Sequence, residues 1–323
     1  MGKYENYVGL YSIALVVLLM HNFSIPAFAD YQEPVYDVAR TNGLVYGIGI
    51  VSDGNDPSKT WTMNLLLDAY APVGNNAPDK PCLIVIHGGG FKGGSRSTTR
   101  FVDISNYFAS RGFVCFSIDY RLKKDYPPTQ GHDVPINPSD LLQDKAAYAA
   151  FVDTKAAIRW IRAHREDYGI ANDRFAAIGG SAGSFCTLTA AITDNDDYAA
   201  DFPGDPTLPE NSPGVSTRIQ VCIDNWGGAN HVANEFDSND PPIMIVHGTE
   251  DTTVPFILAE QVRDKCVEFG IPYAFYPIEG AGHGPWNAVI DSKTLNELWL
   301  EFIIQHLDLG PSPSNPQRWP SYK

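Results

Sequence analysis

The chain reads as an α/β protein, a mostly parallel central sheet with helices on both faces. Three observations predict this. Short continuous apolar runs, Cys82–Ile86 and Phe113–Ile118 among them, fit strands buried on both faces. Helical patterns alternate with these runs, which calls for crossover connections between parallel strands. Neither an internal repeat nor a dividing linker is visible, so residues 30–323 read as one domain.

The elements follow in order. Residues 1–29 read as a secretory signal peptide. Lys3 supplies a modest positive end, diluted by Glu5. Val8–Met20 is an apolar core of about 13 residues, short of the roughly 20 that a spanning helix needs. Ala27-Phe28-Ala29 fits a cleavage site, so the mature start is expected near Asp30. An uncleaved membrane anchor is the competing reading. No second apolar run is long enough to span, and no cysteine follows the cleavage site to carry a lipid. The expected location is therefore secreted or periplasmic, with no stable membrane insertion after processing.

Residues 35–70 alternate enough to give strands, around Val45–Ile50 and Thr60–Tyr70. The buried strand Cys82–Ile86 follows, then helical spacing over 98–110, then the strand Phe113–Ile118. A long helix runs from about Ser139, a suitable N-cap, to His164. Arg174–Ile178, Ile219–Ile223, Ile243–Val246 and Tyr273–Tyr276 are further strands. Helices fall near 255–269 and 291–307, and the tail from Gly310 is proline-rich. Two Pro/Gly/Asp-rich inserts, 123–138 and 194–216, are candidates for a small lid.

Composition narrows the function. Lys+Arg number 23 against 38 Asp+Glu, a net charge of −15. So acidic a chain repels nucleic acid and anionic membranes, so neither is an expected partner. The five cysteines lie in apolar or helical segments and read as buried free thiols rather than a disulfide framework. The histidines show no metal-ligand spacing, so no metal is expected. The Asp194–Asp197 cluster reads as a solvated loop rather than half a calcium loop. Nothing in the sequence fixes an oligomeric state.

The chemistry is carried by Gly179-Gly180-Ser181-Ala182-Gly183, the pattern Gly-x-Ser-x-Gly between an apolar strand and an alanine-rich helix. Such a turn exposes the serine hydroxyl at the tip of a sheet, and the small residues let strand and helix pack closely. A hydroxyl is a poor nucleophile at neutral pH and needs a base, which in turn needs an orienting acid. His283, between Gly282 and Gly284 and just past the last strand, is the candidate base. Asp251, just past Ile243–Val246, is the preferred acid, with Asp224 and Glu250 as rivals. The order Ser181, Asp251, His283 is that of an α/β-hydrolase sheet. Upstream, His87-Gly88-Gly89-Gly90-Phe91 follows a strand directly. Glycines there bring backbone N–H groups close to a developing oxyanion, and Ala182 adds a donor at a helix N-terminus.

Together these residues resemble an α/β-hydrolase esterase, near the hormone-sensitive-lipase-like and carbohydrate-esterase-like branches. The resemblance covers about residues 60–306. It rests on His87–Phe91, Asp119–Leu122, Asp153–His164, Gly179–Gly183, His247–Asp251 and Gly282-His283-Gly284. It implies an oxyanion hole of Gly89, Gly90 and Ala182. The chain departs from the common branch motif in placing Gly180, not aspartate, before the serine, and it shows no clear N-terminal helical cap.

Other residues read as support. His87 and His247 are expected to be structural, and Asp119 with Arg121 to form an ion pair. Phe91, Trp226 and Trp286 are candidates for lining the substrate pocket, with ordinary packing as the alternative. The expected activity is that of a cofactor-free serine carboxylesterase. Its substrates would be short or aromatic acyl esters, such as acetyl or feruloyl esters on plant polysaccharide. A lipase or polyesterase, a prolyl-oligopeptidase-like serine peptidase and an inactive binding domain are the alternatives.

Overall fold

The computed structural model describes residues 31–129, 131–133, 135–199 and 214–310. The segment expected to be a signal peptide, the tail beyond Gly310 and residues 200–213 of the second insert lie outside these residues. The chain opens with a long antiparallel hairpin, β1 (Val38–Asp53) and β2 (Asp56–Pro72). Then come β3 (Lys80–Ile86), β4 (Val114–Ile118), β5 (Ile170–Gly180), β6 (Val221–Asn225), β7 (Ile243–Gly248) and β8 (Tyr273–Ile278). They join one sheet in the order β1-β2-β4-β3-β5-β6-β7-β8. Only the hairpin and its β2–β4 seam are antiparallel; every pair from β4 to β8 is parallel. A short β9–β10 hairpin (Val289–Ile290, Lys293–Thr294) stands apart. This is the α/β-hydrolase arrangement expected from the resemblance.

The continuous apolar runs are explained by two helical layers. Cys82, Ile84 and Ile86 face one core with α2 (Leu141–Ala163), α4 (Ala182–Ile192) and α5 (Ile257–Phe269). Leu83 and Val85 face the other, with α1 (Thr99–Ala109) and α6 (Leu295–His306). A strand covered on both faces is apolar along most of its length. Ala146, Ala147, Ala150 and Ala157 are small enough for α2 to lie close against its neighbours.

Helix α2 starts one residue later than expected. Asp140 is its N-cap, accepting from the Gln143 amide at 3.1 Å, while Ser139 is taken by Asn137. The expected Asp119–Arg121 pair does not form. Arg121, 1% exposed, is bound bidentately by Asp153 of α2, while Asp119 takes Arg96. All five cysteines are buried and free, and burial pushes their thiols up.

In the parallel part of the sheet, the strands end along one edge. Ile86 leads into the glycine loop, Gly180 into Ser181, Gly248 toward Asp251, and Ile278 toward His283. The topology thus gathers segments almost 200 residues apart in the chain.

Candidate active site

Ser181 holds φ 56° and ψ −123°, a conformation that side-chain-bearing residues rarely adopt. The surroundings enforce it. Its amide donates to the Asn225 carbonyl at 2.9 Å, and Asn225 Nδ2 donates to the Gly179 carbonyl at 2.8 Å. A Cβ on Gly179 would lie 2.1 Å from the Gly183 oxygen, and one on Gly183 2.2 Å from the Ile86 oxygen. The two outer glycines of the motif are therefore required by close approach.

Around the hydroxyl, the expected relay assembles. His283 Nε2 lies 2.9 Å from Ser181 Oγ, and His283 Nδ1 lies 2.7 Å from Asp251 Oδ2. The carboxylate can only accept, so Nδ1 carries the proton and Nε2 is left to receive the serine's. Asp251 is 6% exposed, and its Oδ1 accepts the amides of Thr253 (2.8 Å) and Val254 (3.0 Å). The imidazole is a quarter exposed, open toward an incoming ester.

The rival acids sit elsewhere. Asp224 is fully buried beneath the nucleophile turn, accepting from Ser184 Oγ at 2.5 Å and the Gly227 amide at 3.0 Å. Burial raises its carboxyl above the ordinary range, which suits a structural acceptor rather than a partner for His283. Glu250 is exposed, and only its backbone takes part, donating to the Ala281 carbonyl at 2.9 Å.

The glycine loop turns sharply, with φ of 120° at Gly89 and 61° at Gly90. Among the turn and loop hydrogen bonds of the described residues, none uses the amide of Gly89 or Gly90. The Ala182 amide opens α4, where no intrahelical acceptor precedes it. These three amides are the donors from which an oxyanion hole would be built. His87 supports the loop as expected: it is buried and stacked on Tyr120 at 4.2 Å, and burial lowers its basicity. Gln143 holds the loop from α2, donating to the Gly90 carbonyl at 2.9 Å.

The three aromatic candidates divide. Phe91 is 2% exposed, packed against Tyr120, Phe151 and Phe185, so it supports the loop from beneath and does not line a pocket. Trp226 is 1% exposed and lies edge-on under Trp286, their centroids 4.5 Å apart; it too is packing. Trp286 alone reaches the site, its six-membered ring lying over Gly180 beside the nucleophile. Arg100 sits above that ring at 5.3 Å. Sequence reasoning missed the Asn225 and Gln143 braces. Neither belongs to a motif, and each is identified only by what the fold brings next to it.

Comparisons with known proteins bear on this geometry. The family profile described as BD-FAE matches residues 67–236, which include the glycine loop and Ser181. A prolyl oligopeptidase family profile matches residues 222–309, which include Asp251 and His283. The chain is 26% identical over 259 residues to esterase LipC of Mycobacterium tuberculosis, covering 72% of this chain and 58% of that protein. It is 27% identical over 279 residues to that organism's probable carboxylic ester hydrolase LipM, covering 72% and 57%. It therefore spans somewhat over half the length of these curated relatives.

Among solved structures, a truncated carbohydrate esterase from gut microbiota superposes with TM-score 0.59 at 19% identity, covering 85% of this chain and 98% of that one. Esterase 2 of Thermogutta terrifontis, phosphorylated by paraoxon, superposes with TM-score 0.58 at 24% identity, covering 84% and 94%. The same esterase has been solved with propionate and with butyrate bound. At these identities the likeness shows the fold.

Proposed function

The chain belongs to the BD-FAE family, and on that footing we propose that it is a serine carboxylesterase working through an acyl-enzyme. The observation that carries the reading is the unbroken relay from Asp251 through His283 to Ser181, with unpaired amides beside it. Ser181 Oγ attacks the ester carbonyl while His283 Nε2 takes its proton. Asp251 stabilises the imidazolium and holds its tautomer. The amides of Gly89, Gly90 and Ala182 receive the charge of the tetrahedral intermediate. His283 then returns the proton to the leaving alcohol, and a water it activates releases the acid. This sequence calls on no cofactor or metal.

The substrate is read as a short or aromatic acyl ester, such as acetyl or feruloyl groups on plant polysaccharide. Trp286 supports this, since a rigid indole beside the nucleophile leaves little room for a long acyl chain. The propionate and butyrate complexes of the Thermogutta terrifontis esterase and the gut carbohydrate esterase fit the same reading. Export by residues 1–29 would bring the enzyme to a polymeric substrate. A panel of p-nitrophenyl acyl esters, feruloyl esters and peptide anilides tests the assignment. Turnover of anilides above esters would instead favour a peptidase. No turnover, and no labelling of Ser181 by a phosphonate ester, would leave a binding domain.

A further inference from the structure

The turn that holds Asp251 is closed by a second histidine. His247, at the end of β7, is fully buried. Its Nε2 lies 2.9 Å from the Val254 carbonyl, which can only accept, so this nitrogen carries the proton. Val254 is also the residue whose amide donates to Asp251 Oδ1. The same His247 N–H lies 3.3 Å from Asp251 Oδ2, the oxygen that faces His283. Phe256 packs against the ring, centroids 5.9 Å apart, and limits its turning. One imidazole therefore pins the far end of the Asp251–Val254 turn and sets its polarised edge beside the relay oxygen.

We propose that His247 is a positioning residue of the hydrolysis, acting solely through Asp251. The inference rests on the reading of Ser181, His283 and Asp251 as the reacting set. Asp251 Oδ1 is fixed by two amides, whereas Oδ2 takes its hydrogen bond from His283, with His247 Nε2 3.3 Å away. Rotation of the carboxylate would carry Oδ2 off the line to Nδ1 and free the imidazole to swing from Ser181. His247 opposes that rotation twice, by anchoring the Val254 carbonyl and by attracting Oδ2. It is fully buried and bonds to neither Ser181 nor His283, so its loss should leave substrate binding alone.

The test is a double-mutant cycle on full-length protein with p-nitrophenyl butyrate. His247→Phe should lower kcat tenfold or more with KM within about twofold, because only an oriented base is lost. His247→Gln, whose amide offers an N–H at similar reach, should stay within about threefold of wild type. In an Asp251→Asn background His247→Phe should change kcat by less than about twofold, since there is no longer a carboxylate to position. An equal loss in both backgrounds, or an unchanged kcat in the first, would overturn the inference. If His247→Phe does not fold, His247→Met against His247→Gln makes the same comparison. Failure of the underlying reading looks different: Asp251→Asn itself would then leave turnover intact.

Discussion

Replacing Gly180 with alanine should damage the site through Trp286, not through the backbone. Gly180 ends β5 outside the left-handed region, so the backbone tolerates a side chain there. The space does not. A Cβ would lie 2.8 Å from Trp286 Cη2, 2.9 Å from Cζ2 and 3.3 Å from Trp226 Nε1. Carbon atoms rest at about 3.5–4.0 Å, so the Trp286 ring must retreat by about 1 Å. Retreat is obstructed by Trp226 at 4.5 Å, Phe101 at 5.9 Å and Trp299 at 6.4 Å between centroids. Overpacking of this kind costs about 1–3 kcal/mol, and each disturbed aromatic pair adds about 0.5–1.5 kcal/mol. We expect about 2 kcal/mol of lost stability. Activity should suffer as well, because Trp286 is three residues from His283 and its amide bonds to the Gly284 carbonyl at 2.8 Å. A misplacement of about 1 Å can cost about a hundredfold in rate, so kcat/KM should fall by about ten- to a hundredfold. Urea unfolding and p-nitrophenyl butyrate kinetics on Gly180→Ala, Trp286→Ala and the double variant measure the coupling. With the ring gone, alanine at 180 should cost almost nothing. The reasoning is refuted if Gly180→Ala loses less than about 0.5 kcal/mol and keeps full turnover. It is equally refuted if the cost persists without Trp286.

Five further outcomes are expected. Ser181→Ala should lower kcat/KM by at least about a thousandfold without lowering the melting temperature, and Asp251→Asn should cost far more turnover than Asp224→Asn. Equal losses in the two aspartate variants would return Asp224 to contention. Asp153→Ala should destabilise by about 3–5 kcal/mol in denaturant, because it leaves Arg121 charged and buried; a loss below about 1 kcal/mol would mean the pair is not buried as described. Burial pushes His306 down to about 4. The unfolded chain, titrating near 6.5, binds the extra proton first, so stability should decline as pH falls from about 6.5 to 4. Discounted for partial exposure, that is about 1–2 kcal/mol, and His306→Gln should flatten the urea midpoints across that window. Finally, kcat/KM should drop steeply from acetyl or butyryl esters to chains of ten carbons or more; a maximum at ten or longer would move the lipase reading to the front.

The parts of this molecule legible in its sequence are those where chemistry or burial leaves one choice. Strands such as β3 are covered on both faces, so Cys82–Ile86 is an unbroken apolar run that announces itself. The nucleophile turn is legible because close approach at Gly179 and Gly183 excludes side chains. Asp251 and His283 are legible because each follows a strand in the order the relay needs. What could not be read is direction and partnership. Phe91 and Trp226 flank site loops in the sequence, but the core fixes which way their rings point, and it draws both inward. Arg121 has a carboxylate two residues away, yet it is bound by one 32 residues on, because α2 packs over the segment that carries it. The two inserts could be located but not resolved into a lid, since periodicity is what reveals an element and they have none.

Gly180 joins the two kinds of information. From the sequence alone it is a departure, a glycine where the common branch motif has an aspartate. The structure supplies the reason: the volume that a side chain at 180 would occupy is filled by Trp286, a residue more than a hundred positions later. The indole also packs against Trp226 and Phe101 and sits on the loop that presents His283. Restoring a side chain at 180 would therefore displace a wall of the site and strain the base's loop together. The substitution and the tryptophan are one feature, which predicts that an aspartate becomes tolerable at 180 only when residue 286 is small. Gly180→Asp in wild type and in the Trp286→Ala background, compared by kcat/KM and urea midpoint, decides it. Equal damage in both backgrounds would mean that glycine is needed at 180 for some reason other than the ring.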